Sequence, residues 1–107
     1  MFGGGGMGGM FKQAQKIQRE MTRLQQELAE RVVEGIAGGG TVTAKVNGKQ
    51  EVVEVKIAPE AVDPDDVEML EDLVLAAVNQ GLEKSRALAQ QEMARITGGM
   101  LPPGLLG

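Results

Sequence analysis

The chain has 107 residues, room for one small domain and a single core. It contains no His and no Cys, which excludes Ser-His-Asp and Cys-His catalysis, zinc-finger ligand sets, iron–sulfur ligation and disulfides. The formal net charge of −4 is unevenly spread, with +3 over residues 1–26, −8 over 27–79 and +1 over 80–107, so the acidity belongs to the middle of the chain.

Ten of the 16 glycines fall in residues 1–10 and 98–107, so residues 1–9 and 98–107 read as flexible tails around a domain spanning 10–97. Phe2 and Phe11 are the only aromatics, which makes for a thin core and favours association. There is neither a basic leader with an apolar stretch behind it nor an apolar run near the ~18 residues that span a bilayer. The expectation is a cytoplasmic protein with no membrane partner.

From Met10 to about Glu30, apolar residues recur at three- and four-residue steps (Met10, Ala14, Ile17, Met21, Leu24, Leu28) with no Gly or Pro between them, which predicts an amphipathic helix. From Ile17 onward the spacing is heptad-like and implies a narrow seam against another helix. At 100° per residue Lys12, Lys16, Arg19 and Arg23 fall within about 60° of one another and about 150° from that stripe, forming a basic ridge. The period then changes to two. Val32–Ala37 predicts a strand ending at Gly38-Gly39-Gly40, and Thr41–Val46 predicts a second. Asn47-Gly48 predicts a two-residue type I′ turn into a third strand, Gln50–Ile57, with Val53, Val55 and Ile57 on one face and Val52, Glu54 and Lys56 on the other. The three form an antiparallel meander.

Asp63-Pro64-Asp65-Asp66 predicts a helix start, with Asp63 as N-cap and Pro64 at N1, and the helix continues to about Thr97 before Gly98-Gly99. Val67 to Val78 is apolar on nearly every side, more than a chain this small can cover, which implies a dimer interface carried by Leu70, Leu73, Val74, Ala77 and Val78. Further on, Leu75, Val78, Leu82, Ser85, Ala89 and Ile96 follow heptad spacing and predict an antiparallel helical arm with the first helix.

Three motifs admit sharper readings and do not support them. Gly3, Gly5 and Gly8 match a G-x-G-x-x-G phosphate loop, but no strand precedes them. The acidic run from Glu60 to Asp72 is accounted for by helix capping and solvation, and no metal is expected. Ser85 lacks an activating partner and reads as a small residue at a close helix contact. No catalytic residues, cofactor or small-molecule substrate are expected. The basic ridge is either a solvated face or a phosphate-binding surface. Glutamate is scarce beside it, Lys84, Arg86 and Arg95 come to the same arm from the last helix, and glutamines 13, 15, 18, 25 and 26 can hydrogen-bond phosphates or bases.

The assembled pattern resembles the YbaB/EbfC family of bacterial nucleoid-associated DNA-binding proteins over about residues 10–97. Met10-Phe11-Lys12-Gln13-Ala14-Gln15-Lys16 with Met21, Gly39 to Ala44 through Val46-Asn47-Gly48, and Leu70 to Asn79 carry the likeness. The resemblance implies an α+β fold of helix, three-stranded antiparallel meander and long C-terminal helix, in an intertwined homodimer with projecting helical arms. It implies binding of double-stranded DNA with little sequence specificity and alteration of its conformation, with roles in nucleoid organisation, gene regulation and DNA protection. DNA contacts are then expected from Lys12, Lys16, Arg19, Arg23, Lys84, Arg86 and Arg95. The alternative is a protein-interaction module that clamps a partner protein through its arms or its Met/Leu-rich tail.

Overall fold

A computed structural model describes the backbone of residues 3–98 and the side chains of residues 8–98. The elements run α1 (Gly3–Glu30), β1 (Val32–Ala37), β2 (Val42–Asn47), β3 (Val52–Ile57) and α2 (Val67–Thr97), with single 3-10 turns at Gly38–Gly40 and Pro59–Ala61. The strands form one antiparallel sheet of order β1-β2-β3, the α+β meander expected from sequence. The molecule is elongated, 78 × 25 × 16 Å. The expected C-terminal tail lies outside the described residues, apart from Gly98, whose φ of 62° ends α2 with its N–H donated to the Ala94 carbonyl.

Local boundaries differ from expectation in three places. Gly3–Gly9, expected as a tail, forms the first turns of α1. Glycine costs about 1 kcal/mol per helical residue, but no proline interrupts the segment and each added residue gains a hydrogen bond from the helix already formed beyond it. At the second helix the cap is Asp66, not Asp63: Asp66 Oδ1 accepts from the Met69 N–H (3.1 Å). Asp63 instead closes the preceding turn, its Oδ1 accepting from Asp65 N–H (2.9 Å) and its carbonyl from Asp66 N–H (2.9 Å).

The hairpin differs too. Asn47 and Gly48 do not adopt the paired positive φ of a type I′ turn; Gln50, at φ 64°, is the left-handed residue. The Gln50 N–H bonds the Asn47 carbonyl (3.0 Å) and the Asn47 N–H bonds the Glu51 carbonyl (2.9 Å), a turn closed by an αL residue. The side chain of Asn47 holds this loop, its Oδ1 accepting from Lys49 and Glu51 N–H and its Nδ2 donating to Glu51 Oε1 (2.7 Å). The extra length forces a register shift. Lys45 pairs with Glu54 but Val46 pairs with Val52, so Val52 joins Val55 and Ile57 on one face and Val53 is bulged outward.

Packing depends on small residues. Ala77, Gly81 and Ser85 succeed one another at four-residue steps on α2, all fully or nearly buried, and lie on β1 and β2 where Gly35 pairs with Ala44. A Cβ on Gly35 would stand 1.9 Å from the Ala77 carbonyl oxygen and 2.4 Å from the Gly81 nitrogen. One on Gly81 would stand 2.6 Å from Val46 Cγ2. Around this contact Val42, Ala44, Ala61 and Ala77 form the core, flanked by Ala37, Leu70, Leu73, Val74 and Val78. Ser85 then ties the helix to the hairpin, its Oγ donating to the Asn47 carbonyl (2.6 Å) and accepting from the Gln50 N–H (3.1 Å).

Gly35→Ala should therefore cost at least about 3 kcal/mol in urea unfolding, since backbone atoms on both sides must move. Gly9→Ala, where nothing stands within 4 Å of the added methyl, should leave stability equal or higher. Equal stability of the two variants would contradict this account of the packing.

Candidate nucleic-acid interface

The arm is anchored where α1 meets the body. Leu24 and Leu28 are buried, and Gly48 fits against Leu28 so closely that a Cβ there would lie 2.8 Å from the Leu28 carbonyl oxygen. The Gly48 N–H is shared by the carbonyls of Leu28 (2.7 Å) and Arg31 (2.9 Å), satisfying the end of α1 with the hairpin turn. Glu92 on α2 sits between two guanidinium groups, Arg31 at 3.5 Å and Arg95 in a close hydrogen bond. Leu24 shares a groove with Arg95 and Ile96, so α1 and α2 run antiparallel.

With α2 ending at Thr97 level with the Leu24 turn, the N-terminal part of α1 runs on past the described end of α2 by roughly 25 Å. The paired length is thus shorter than the seam read from sequence. Ser85 in that seam packs on the hairpin, and Leu75 is 59% exposed.

Four of the seven basic residues expected at the interface are gathered in one place. Lys12, Lys16, Arg19 and Arg23 are all exposed along one side of α1, and among the described residues none forms an ion pair. Of the other three, Lys84 and Arg86 are not brought to this ridge, while Arg95 lines a groove with Arg23 at its end nearest the body. Lys84 Nζ donates to the Glu34 carbonyl (2.9 Å) and, with Gln80 Oε1 accepting from Ile36 N–H (2.7 Å), covers the outer edge of β1. Arg95 is exposed and pairs with Glu92, a carboxylate it shares with Arg31. Arg86 is exposed about 100° round α2 from the Glu92–Ile96 side that meets α1.

The residues expected at a dimer interface divide likewise. Ala77 is fully enclosed within the protomer and offers no surface, while Leu70, Leu73, Val74 and Val78 are half-buried against the core. Leu73 lies against Gly38 on the β1 side. The uncovered apolar surface is on the opposite flank. Leu75, Val78 and Leu82 lie about 170° round α2 from Gln80 and Lys84, toward β3, where Val52, Val55 and Ile57 remain 40 to 44% exposed. The role of Glu92 and this shelf were not read from sequence. The i, i+3 spacing of Glu92 and Arg95 was a signal for the first, and Leu75 for the second, but only the fold shows which flank β3 leaves open.

Glu92→Gln should lower stability by less than about 1 kcal/mol at low salt, because both arginines are more than half exposed, and the difference should shrink as salt is added. Thermal unfolding at two ionic strengths would check it; a deficit that grows with salt would contradict an ionic clamp.

The model of the YbaB/EbfC DNA-binding family matches residues 3–100. The chain is 54% identical over 102 residues to a protein of Pelotomaculum thermopropionicum named nucleoid-associated protein, covering 95% of this chain and 97% of that one. A protein of the same name from Moorella thermoacetica is 56% identical over 102 residues, covering 95% and 98%. In fold, the chain is similar to the crystal structure of an uncharacterized protein from Helicobacter pylori, with a TM-score of 0.71 at 21% identity over 86% of this chain and 94% of that one.

Proposed function

The chain belongs to the YbaB/EbfC DNA-binding family, and we propose that it is a homodimeric nucleoid-associated protein of the bacterial cytoplasm whose α1 arms hold double-stranded DNA. The reading rests above all on the ridge of Lys12, Lys16, Arg19 and Arg23, four exposed cations without ionic partners on a projecting helix. Such groups neutralise phosphates and release counterions, which gives affinity with little dependence on sequence. The acidic body, −8 over residues 27–79, repels the duplex and so presents the arms to it. Two arms on one dimer can hold a duplex in an altered path, the physical basis for nucleoid organisation, gene regulation and DNA protection. The activity is binding and not catalysis. Among the described residues no helix is long and apolar enough to cross a membrane.

Changing Lys12, Lys16, Arg19 and Arg23 to Ala disturbs no buried side chain, so folding should survive. The slope of log affinity against log salt should become shallower by about 0.9 for each phosphate left without a cation, and binding should weaken alike on unrelated duplexes. A folded quadruple variant that binds duplex DNA as tightly as the parent would overturn the assignment.

Dimerisation has its support in the shelf between α2 and β3. Within the protomer Leu75 is 59% exposed and contributes little to the core, yet a second copy seated on Val52, Val55 and Ile57 would bury it. Leu75→Asp should therefore convert the dimer to monomer in light scattering, with stability falling as the shared surface opens to water. An unchanged dimer would place the contact elsewhere.

A further inference from the structure

The two flanks of the basic ridge are chemically different. Taking 100° per residue, the flank on one side carries Glu20 and Glu27 about 60° from the ridge centre, an edge that phosphates avoid. The flank on the other side carries Phe11, Gln15, Gln18 and Thr22 at i, i+4, i+7 and i+11, a stripe within about 60° of arc and about 100° from the ridge centre, without a charge. All four are exposed, Phe11 by 66%, and Gln15, Gln18 and Thr22 line a shallow concavity with Arg19 of the ridge. The Thr22 hydroxyl donates to the Gln18 carbonyl (3.0 Å), which leaves its methyl as the group it offers outward.

Resting on the reading of α1 as the DNA-holding arm, we infer that Phe11, Gln15, Gln18 and Thr22 form its base-facing edge in the major groove and give it a preference for A·T pairs. A helix about 10–12 Å across fits a groove about 12 Å wide. With the ridge on the phosphates of one wall, a face about 100° away points to the groove floor, and the Glu20 side turns outward. The stripe is about 16 Å long, the rise of roughly five base pairs. Its chemistry suits adenine and thymine: a glutamine carboxamide donates to adenine N7 and accepts from its N6 amino group, and the phenyl ring and threonine methyl pack on the C5-methyl of thymine. The uncharged stripe adds nothing to counterion release, so it alters which duplex is preferred without altering the salt slope.

The test is fluorescence anisotropy of the parent and of the triple variant Phe11→Ala, Gln15→Ala, Gln18→Ala. The probes are length-matched A·T-rich and G·C-rich duplexes at two salt concentrations, and the A·T-rich duplex rebuilt with uracil for thymine and 7-deazaadenine for adenine. The parent should bind the A·T-rich duplex at least about fivefold more tightly, the preference should vanish both in the triple variant and on the rebuilt duplex, and the salt slope should stay the same. Equal affinity of the parent for both natural duplexes would overturn the inference. So would a preference that survives on the rebuilt duplex, which would place readout in the minor groove or in DNA shape. A triple variant that keeps the preference but no longer has the mass of a dimer in light scattering would assign the stripe to a second copy and overturn it as well. A parent with no salt-dependent binding to any duplex is a separate outcome, in which the DNA-holding arm itself fails.

Discussion

The close approach of α2 to the sheet over Gly35 governs the rest of the molecule. Only at a position without a side chain can the Ala77 carbonyl and the Gly81 nitrogen come so near a strand. That proximity lets Ser85, two turns from Ala77, reach the hairpin turn and bond both Asn47 and Gln50. The hairpin so fixed presents Gly48 to the last turn of α1, where its N–H takes up the carbonyls of Leu28 and Arg31. The direction of the arm is thus set through a chain of backbone contacts from helix to strand, from strand to turn, and from turn to helix. None of these contacts requires a large side chain, which is how a chain with two aromatics holds its shape.

The same placement decides which edges are open. Because α2 crosses β1 and β2, Gln80 and Lys84 can satisfy backbone groups on the outer edge of β1, and β3 remains uncovered with Val52, Val55 and Ile57 beside Leu75. The two edges of the sheet thus differ, one protected by polar side chains and the other apolar and open. Lys84 therefore has a structural contact, its ammonium donating to the Glu34 carbonyl at the edge of β1. Arg95 is similar, since its partner Glu92 also holds Arg31 and so joins the base of α1 to the end of α2.

Electrostatics divide the chain into parts with separate tasks. Acidic residues gather in the body, where Asp66 caps α2, Asp63 closes the turn before it and Glu68 lies in the first helical turn. Cations stand on the arm, away from that field. A protein with a negative total charge can in this way present a positive surface to a polyanion, because over distances beyond about 10 Å the body is screened from the arm at ordinary salt. The length of the molecule, 78 Å, makes that separation possible.

The order and kind of the elements are legible in the sequence, since periods of 3.6 and 2 follow from local backbone geometry and β1 occupies the span read for it. The basic ridge is legible too, because residues three and four apart on a helix share a side whatever the helix packs against. What the sequence could not determine were features set by contacts between distant segments. Asn47-Gly48 has the residues of a type I′ turn, but Gly48 is needed for its approach to Leu28 and the positive φ falls on Gln50. Ala77 has the look of an interface residue in an apolar run, and the sheet encloses it. Lys84 reads as a free cation until the fold brings the Glu34 carbonyl beside it. In each case the residue's chemistry was legible and its partner was not, because the partner lies elsewhere in the chain and only tertiary packing selects it.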